Sequence, residues 1–261
     1  MDIPTSNNKE RLTVVKVGGA VVEDAKQLSQ LLDRFTAIPG HKVLVHGGGR
    51  SATRIAASLG IESKMVNGRR ITDADMLRVV TMVYGGLVNK NIVAHLQARD
   101  IDAMGLTGAD MDVIHSHRRP VGEVDYGFVG DVDYANGEKL SVLIHQGIVP
   151  VMAPLTHDGQ GNILNTNADT IANEVAKALA PLYQVTLIYS FEMPGVMDAN
   201  GEIIPYITRE TFEKHVADGV ISGGMIPKIE NALQAVGAGV EKVIITQASA
   251  IDGKHGTIVG E

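Results

Sequence analysis

Two glycine clusters, each placed directly after a short apolar run, are the strongest chemical signal in this sequence. Gly18 and Gly19 follow one run, and Gly47-Gly48-Gly49 follows a second. Where a buried strand passes through glycines into a helix, unblocked backbone N–H groups and the positive helix end can bind a phosphate. Tight turns alone would explain one such cluster, but the occurrence of two makes a phosphate site an equally good interpretation.

Two lysines are placed where they could neutralise phosphate charge. Lys16 lies within the β-branched run Val14–Val17, and buried lysines are rare unless they are paired. We favour a Lys16 that points over the carboxyl end of its strand, where ligands bind in open parallel sheets, over one that faces water at a sheet edge. Lys228 lies in the first turn of a predicted helix, where the helix dipole disfavours a cation. A bound phosphate and simple solvent exposure explain Lys228 equally well.

A polar cluster precedes another predicted helix and contains Asn165, Asn167 and Asp169. Helix capping explains one asparagine and Asp169 but does not require all three residues. Asp169 could instead orient a lysine through a charge-assisted hydrogen bond. Arg70 could bind a carboxylate through two guanidinium nitrogens, although an arginine pair such as Arg69-Arg70 more often forms a solvated face.

His115 and His117 raise the question of a metal site. Their i, i+2 spacing puts both on one face of a strand, but no third ligand of a suitable type is near. We therefore favour an exposed ribbon and predict no metal site. Other catalytic motifs are also missing: neither glycine cluster has the dinucleotide-binding spacing, and the sequence has no P-loop and no G-x-S-x-G elbow. This disfavours an oxidoreductase, a P-loop enzyme and a serine hydrolase.

The elements that must position these residues follow a repeating order. At the start of the chain, strands alternate with helices, and each strand ends at glycines. This alternation predicts an α/β fold with a mainly parallel sheet that is covered by helices. We further predict helices over 24–37, 73–99, 168–180 and 225–236, antiparallel ribbons over 110–134 at one edge of the sheet, and a last buried strand at 242–246. Gly85-Gly86 predicts a break within the helical stretch 73–99.

Composition excludes several classes of protein. The chain has 261 residues and no cysteine, which excludes a disulfide scaffold, a thiolate zinc site and a cysteine nucleophile. A formal net charge of −7 and only 4% aromatic residues argue against nucleic-acid binding. No apolar run approaches the roughly 20 residues that span a membrane, and segment 1–10 lacks the apolar core of a signal peptide. We expect a cytoplasmic protein with neither nucleic-acid nor membrane partners.

Six segments together make the sequence similar to the amino-acid kinase family, and the resemblance covers residues 14–258. In the family's order they are Val15–Gly19, Val45–Gly49, Asn67–Thr72, Leu106–Asp110, Leu164–Asp169 and Gly224–Lys228. The resemblance implies a three-layer αβα sandwich around an open, mainly parallel sheet, as in carbamate kinase-like folds, and a homodimer. After a disordered arm over 1–11, it implies an N-terminal lobe over 12–180 that binds an acylated glutamate and dimerises. The C-terminal lobe over 181–261 would bind ATP.

The resemblance also implies roles for the candidate residues. Lys16 and Lys228 would be the catalytic lysines that stabilise the transferred phosphoryl group, and Asp169 would orient them. The residues that bind the acylated glutamate would be Gly47, Gly48, Arg70, Asn165 and Asn167. The residues that bind ATP, with Mg²⁺ carried by the nucleotide, would be Lys16, Gly18, Gly19, Glu192, Gly195, Met225 and Lys228.

The implied reaction transfers the γ-phosphoryl group of ATP to the side-chain carboxylate of N-acetyl-L-glutamate. The product would be N-acetyl-L-glutamyl 5-phosphate, in a step of arginine biosynthesis. A glutamate carboxylate has a pKa of about 4.3 and needs no general base, which agrees with the lack of an evident catalytic His, Cys or Ser. Catalysis would rest on positioning and on positive charge from lysines, N–H groups and Mg²⁺.

One segment departs from the family pattern. Tyr189–Gly195 stands where the family commonly has Thr/Ser-Asp-Val-x-Gly, so that Glu192 replaces the expected aspartate on the nucleotide side. The same segment is similar to a branch that makes arginine through succinylated intermediates. N-succinyl-L-glutamate is therefore an alternative substrate, and Arg50, Arg69 and Lys64 are candidate partners for its additional carboxylate.

Two more distant interpretations stay open. Another kinase of the family, acting on aspartate, carbamate, glutamate or UMP, fits the segments Asn67–Arg70 and Asn165–Asp169 less well. A non-catalytic nucleotide sensor with the same fold would not need Lys16, Asp169 and Lys228. Relatives that arginine inhibits carry a longer N-terminal helix, so the short arm predicts no arginine feedback.

Overall fold

The computed structural model describes residues 9–66 and 68–261. In chain order the strands are β1 (Arg11–Val17), β2 (His41–His46), β3 (Met65–Val66), β4 (Arg69–Arg70), β5 (Ala103–Leu106), β6 (Ile114–Arg118), β7 (Gly130–Ala135), β8 (Val149–Met152), β9 (Leu155–His157), β10 (Ile163–Asn165), β11 (Gln184–Phe191), β12 (Tyr206–Ile207), β13 (Lys242–Gln247) and β14 (Thr257–Val259). The helices are α1 (Gly19–Glu23), α2 (Ala25–Thr36), α3 (Gly49–Ser58), α4 (Ala74–Val80), a π-helix (Thr81–Val88), α5 (Asn89–Gln97), α6 (Gly137–His145), α7 (Ala168–Leu179), α8 (Arg209–Ala217) and α9 (Met225–Gly237). Two 3₁₀ turns span Asp110–Asp112 and Ala248–Ala250.

A main sheet of eight strands runs through the described part of the chain in the order β12-β14-β13-β11-β1-β2-β8-β5. Every neighbouring pair is parallel except β13 and β14. β1 lies between β2 and β11, so strands from both halves of the sequence form one continuous sheet. The prediction of a mainly parallel α/β sheet is confirmed.

Both faces of this sheet are covered, as parallel sheets require. The inner residues of β1 alternate between two hydrophobic clusters: Leu12 and Val14 pack into the cluster that contains α6, α7 and α9, and Val15 and Val17 pack into the cluster that contains α2, α4 and α5. Helices therefore lie on both sides of the strands, and the three-layer αβα sandwich is confirmed.

A second, smaller sheet has the order β10-β9-β6-β7, and we call it the small sheet. β6 and β7 are antiparallel, as predicted for residues 110–134, but they do not lie on the edge of the main sheet. They pair instead with the hairpin of β9 and β10, and β7 contacts α7. Turn residues in the sequence indicate a hairpin, but they do not specify which sheet the hairpin joins, because that depends on strands distant in sequence.

Two local predictions were wrong. Gly85-Gly86 does not break the helical stretch, because the π-helix carries the chain through both glycines into α5. A Cβ on Gly85 would lie 3.4 Å from Leu155 Cδ1, so the glycine allows a close approach to β9 rather than a break. The strand at 242–246 is also not the last one, since β14 follows and pairs antiparallel with β13.

The predicted arm over 1–11 lies outside the described residues as far as Asn8, and Arg11 already belongs to β1. Lys9 Nζ donates a hydrogen bond to the carbonyl oxygen of Ala180 at 2.9 Å. In the part of the chain that the structure describes, no helix has both the length and the apolar character needed to cross a bilayer.

Candidate active site

Lys16 and Asp169 form an ion pair at the carboxyl end of the main sheet. Lys16 lies on β1 between Tyr189 of β11 and Val45 of β2, and only 8% of its surface is exposed. Its Nζ lies 2.8 Å from Oδ1 of Asp169. Because β1 is a central strand, Lys16 cannot be an edge residue that faces water, and Asp169 supplies the partner that a buried lysine needs.

Lys228 and Lys16 both lie beside the ring of Phe191. Lys228 Nζ lies 3.9 Å from the centroid of this ring, and Lys16 Nζ lies 5.2 Å from it. Both distances fall within the range of cation–π attraction. The ring of Tyr189 stacks on Phe191 with a centroid separation of 5.8 Å. Two ammonium groups and one carboxylate therefore converge here, leaving positive charge that suits an anionic ligand.

The first turn of α7 positions Asp169. Oδ1 of Asn167 accepts hydrogen bonds from the backbone N–H groups of Asp169 at 2.7 Å and Thr170 at 3.3 Å, which caps the helix. The hydroxyl of Tyr189 donates to the carbonyl oxygen of Asp169 at 3.3 Å. Burial raises the pKa of Tyr189 far above its usual range, so this hydroxyl keeps its hydrogen. Helix capping thus accounts for Asn167, whereas the side chain of Asp169 forms the ion pair with Lys16.

The two glycine clusters pack against each other. A Cβ on Gly47 would lie 3.2 Å from the backbone nitrogen of Gly19, and a Cβ on Gly19 would lie 3.4 Å from that of Gly48. A side chain at Gly47 would push the Gly18-Gly19 turn outward by a few tenths of an ångström, and one at Gly19 would fill the space between the turns. Gly48 precedes α3 without a side-chain cap, so the first N–H groups of this helix are left for a ligand.

His46 supports the second glycine cluster, although it is not among the residues predicted from the sequence. It is fully buried; its Nδ1 lies 2.9 Å from the carbonyl oxygen of Gly47, and its Nε2 lies 3.1 Å from Nδ2 of Asn89. Since the Asn89 amide also donates to the carbonyl oxygen of Val151, the network assigns the ring hydrogen to Nδ1. Burial lowers the pKa of His46 to about 4, so the ring is neutral and donates to Gly47.

A cavity of about 190 Å³, which we call the small cavity, lies on one side of the glycine clusters. Its lining includes Gly47, Gly48, Gly49, Arg69, Arg70, Tyr84, Asn165 and Asn167. A Cβ on Gly48 would lie 2.9 Å from Cδ1 of Tyr84, so this ring closes the cavity against the glycine turn. All the residues predicted to bind the acylated glutamate therefore line one cavity.

The polar side chains of the small cavity are held by the protein. Arg70 is buried and donates from Nη2 to the carbonyl oxygen of Gly49 at 2.8 Å and to Oγ1 of Thr53 at 3.0 Å. Asn165 is also buried, and its Nδ2 donates to Oγ1 of Thr72 at 2.9 Å. The guanidinium and the amide are consequently fixed in orientation before any ligand arrives.

A larger cavity of about 500 Å³, which we call the large cleft, lies on the other side. Its lining includes Lys16, Gly18, Gly19, Asp169, Phe191, Glu192, Gly195, Met225 and Lys228. Arg50 Nη2 and Glu192 Oε1 lie 3.2 Å apart at its rim, and both side chains are exposed. Gly49 belongs to the lining of both cavities, so the two spaces meet at the start of α3.

Four residues of this arrangement are missing from the sequence-based predictions: His46, Tyr84, Asn89 and Phe191. His46 directly precedes the second glycine cluster, and Phe191 lies in the segment that departs from the family pattern. Both could therefore have been recognised from the sequence as candidate site residues. Tyr84 and Asn89 come from a helical stretch that is distant in sequence, and only the folded chain shows that they reach the glycines.

Comparisons with known proteins agree with this architecture. The model of the amino acid kinase family matches residues 11–247. The chain is 69% identical to the acetylglutamate kinase of Bacteroides thetaiotaomicron over 252 residues, which cover 95% of this chain and 98% of that relative. It is 50% identical to the acetylglutamate kinase of Cytophaga hutchinsonii, with 93% of each chain covered. A solved structure from Streptococcus mutans UA159 is 30% identical with a TM-score of 0.77, covering 95% of this chain and 98% of that one.

Proposed function

The chain belongs to the amino acid kinase family, and from this premise we propose that it phosphorylates N-acetyl-L-glutamate with ATP in arginine biosynthesis. Its curated relatives at 65% to 69% identity carry the name acetylglutamate kinase. The observation that carries the proposal is the convergence of Lys16 and Lys228 on Phe191, beside the point where the two cavities meet.

The chemistry needs charge and alignment rather than a base. An oxygen of the glutamate side-chain carboxylate attacks the γ-phosphorus of ATP, the new O–P bond forms, and the bond to the ADP oxygen breaks. No proton moves, because the carboxylate is already ionised at neutral pH. The barrier is the repulsion between anions, which fixed cations and N–H groups lower in a site that excludes water.

On the nucleotide side, we assign ATP to the large cleft. Lys16 and Lys228 contact the transferred phosphoryl group, and Asp169 keeps the ammonium of Lys16 in place through the 2.8 Å ion pair. Gly18 and Gly19 lie against the phosphates. The nucleotide extends along Glu192, Gly195 and Met225, and Mg²⁺ enters with ATP as part of the substrate.

On the acceptor side, we assign the acylated glutamate to the small cavity. Gly48 presents its N–H group toward the side-chain carboxylate and the incoming phosphoryl group. The N–H of Gly47 already donates to the carbonyl oxygen of Val17 at 3.0 Å, so Gly47 gives the acceptor close access to the backbone because it has no side chain. Arg70 and Asn165 hold the α-carboxylate and the amide, and Asn167 borders the same space. The two assignments make residues 12–180 an acylglutamate-binding lobe and residues 181–261 an ATP-binding lobe, joined where β1 pairs with β11.

A homodimer is part of the proposal. In the described part of the chain, β5 ends the main sheet on the acceptor side. Met104 on β5 is 40% exposed, and Met82 and Leu87 on the π-helix are 56% and 48% exposed. Free strand edges and exposed apolar side chains are both surfaces that proteins usually cover. Because ATP is a co-substrate, we place the reaction in the cytoplasm.

N-succinyl-L-glutamate is a second candidate substrate, and Arg69 is the observation that favours it. Arg69 lines the small cavity beside Arg70, where it could meet an additional carboxylate. Burial and the neighbouring Arg119 lower the pKa of Arg69, and Asp131 and Tyr126 offset this only in part, so a further carboxylate beside Arg69 would be favourable. The other two candidate cations are engaged elsewhere: Lys64 lies 3.2 Å from Glu62, and Arg50 pairs with Glu192 at the large cleft.

Acyl-phosphate formation tests both candidates in one experiment. The protein is incubated with MgATP and hydroxylamine, and hydroxamate is measured with N-acetyl-L-glutamate and N-succinyl-L-glutamate in parallel. Hydroxamate with N-acetyl-L-glutamate supports the main proposal, and a clear preference for the succinyl compound selects the second candidate. If ATP binds but neither compound reacts, the acylglutamate kinase proposal fails in favour of another kinase of the family or a nucleotide sensor.

A further inference from the structure

Asp112, His115 and His157 bring three side chains of metal-binding type together. Asp112 lies in the 3₁₀ turn before β6, and His115 on β6 pairs with His157 on β9 across the small sheet. One potential ligand atom from each side chain lies within 4.8 Å of the others. The expectation that His115 has no third ligand nearby was therefore wrong, because strand pairing brings in His157 from a distant part of the sequence. None of these three residues lines the small cavity or the large cleft as the structure describes them.

The spacing of the three groups fits one tetrahedral ion. Two imidazoles bound to such an ion through bonds of about 2.0–2.1 Å have ring centroids roughly 5 Å apart. The centroids of His115 and His157 are 5.0 Å apart, with the planes at 76°. Ligand atoms on such an ion lie roughly 3.3 Å from each other. Asp112 Oδ1 lies 2.8 Å from His157 Nε2 and 3.5 Å from His115 Nδ1, on either side of that value.

The surroundings hold Asp112 and His115 in this orientation. The other carboxylate oxygen of Asp112, Oδ2, accepts a hydrogen bond from the hydroxyl of Tyr134 at 3.0 Å and lies 3.4 Å from Lys139 Nζ. Oδ1 is thereby directed to the histidines. The ring of Tyr134 also stacks on His115, with centroids 5.2 Å apart and planes at 3°. Such outer contacts are what orients metal ligands in proteins.

One contact must change when a metal binds. The backbone N–H of Gly159 donates to Nδ1 of His157 at 3.2 Å, so without metal Nε2 carries the ring hydrogen and donates it to Asp112. A metal ion would take the place of this hydrogen, which moves to Nδ1 of the neutral ring. The Gly159 contact then opens, and this is inexpensive because Gly159 lies in an exposed turn with φ of 69°.

We propose that Asp112, His115 and His157 bind one Zn²⁺ ion and so join the 3₁₀ turn to β6 and β9. Two imidazoles and a carboxylate are a donor set that zinc prefers, and the partial exposure of all three side chains leaves a fourth position for water. The ion stabilises the small sheet, whose strand β10 carries Asn165 into the small cavity. This proposal is independent of the proposed kinase activity.

Metal titration tests the site directly. Tag-free, metal-free full-length protein is titrated with ZnCl₂ at neutral pH by isothermal titration calorimetry, and with CoCl₂ by visible absorption. The proposal predicts saturation at one ion per chain, a tetrahedral Co²⁺ spectrum, and a higher Tm with zinc than without it.

Matched variants separate the site from other surface histidines. His115→Ala and Asp112→Asn should weaken zinc binding at least about tenfold and remove the zinc-dependent rise in Tm. His117→Ala is the control, because His117 lies on the same strand but pairs with Asp133 at 2.6 Å. Circular dichroism checks that each variant is folded, and His157→Asn replaces any variant that is not.

Three results would overturn the proposal. The first is a wild-type titration that does not saturate at one ion per chain. The second is zinc affinity that is unchanged in folded His115→Ala or His157→Asn. The third is a loss of zinc affinity in His117→Ala as large as that in His115→Ala. In each case the hydrogen bond between His157 and Asp112 and the stacking of His115 on Tyr134 serve only to hold the turn at Asp112, whose φ of 51° is unusual for a residue other than glycine.

Discussion

The small cavity and the large cleft meet at Gly49, yet they hold their charged side chains in different ways. In the small cavity, Arg70 and Asn165 are buried and hydrogen-bonded to protein groups. In the large cleft, the ammonium of Lys228 lies over an aromatic ring, and the Arg50–Glu192 pair is exposed. Lys16 already pairs with Asp169 in the large cleft, so the difference concerns Lys228. We therefore expect a rigid pocket for the proposed acceptor and a Lys228 that completes its contacts only when the triphosphate binds.

Removing Lys16 should have the largest effect on activity. Lys16→Ala removes one of two ammonium groups from the transferred phosphoryl group, and the expected loss in kcat is about 10²–10³-fold. ATP binding should largely survive, since Lys228 and the glycine turns remain. Steady-state kinetics and calorimetry with ATP measure the two quantities, and Lys26→Ala, an exposed lysine on α2, is the control. Unchanged turnover would refute the role given to Lys16.

Arg70→Lys tests the rigid side of the comparison. Lysine cannot reproduce the guanidinium fork, in which Nη2 donates to Gly49 and Thr53 and Nη1 donates to Ser63. The KM for the acylated glutamate should therefore rise roughly 10–100-fold, while the KM for ATP changes little. Arg54→Lys on the exposed face of α3 is the matched control. A rise in the KM for ATP of the same size would show that the two cavities do not act separately.

His46→Gln tests how the glycine turn between the two cavities is held. The folded-state pKa of His46 is about 4, below the unfolded value, so the unfolded chain takes up the proton first as pH falls. From about pH 6.5 down to about pH 4, wild-type stability should fall by up to about 1.4 kcal/mol per pH unit more than that of His46→Gln. Urea unfolding across this range measures the difference. His95→Gln, at an exposed histidine, should keep the wild-type slope.

Substitution of Phe191 should give the smallest effect, and it tests how the large cleft holds its lysines. Phe191→Leu keeps an apolar side chain but removes the ring face, so the KM for ATP should rise about two- to fivefold with little change in the KM for the acylated glutamate. Replacing Phe191 alone with phenylalanines of increasing fluorination should weaken ATP binding in steps. If the fluorinated series equals wild type while Leu does not, the ring serves packing and not the lysines.

The fold was predictable because its signals are local. Alternating strands and helices that end at glycines specify a covered parallel sheet, and Lys16 stands out because a lysine in a β-branched run needs a partner. The contacts that complete the site are not local. Asn89 reaches His46, and Phe191 lies beside both lysines, only because strands and helices from separate parts of the sequence meet at one end of the sheet. The cluster around Asp112 was missed for the same reason.

We propose that one phosphoryl group is transferred from the large cleft to the small cavity beside Lys16 and Lys228. The most direct measurement is a crystal structure of the protein with N-acetyl-L-glutamate, ADP, Mg²⁺ and aluminium fluoride as a mimic of the transferred phosphoryl group. We expect the acceptor beside Arg70, the nucleotide in the large cleft, and both ammonium groups in contact with the fluoride ligands. Lysines that face away from the mimic, or an acceptor bound outside the small cavity, would contradict it.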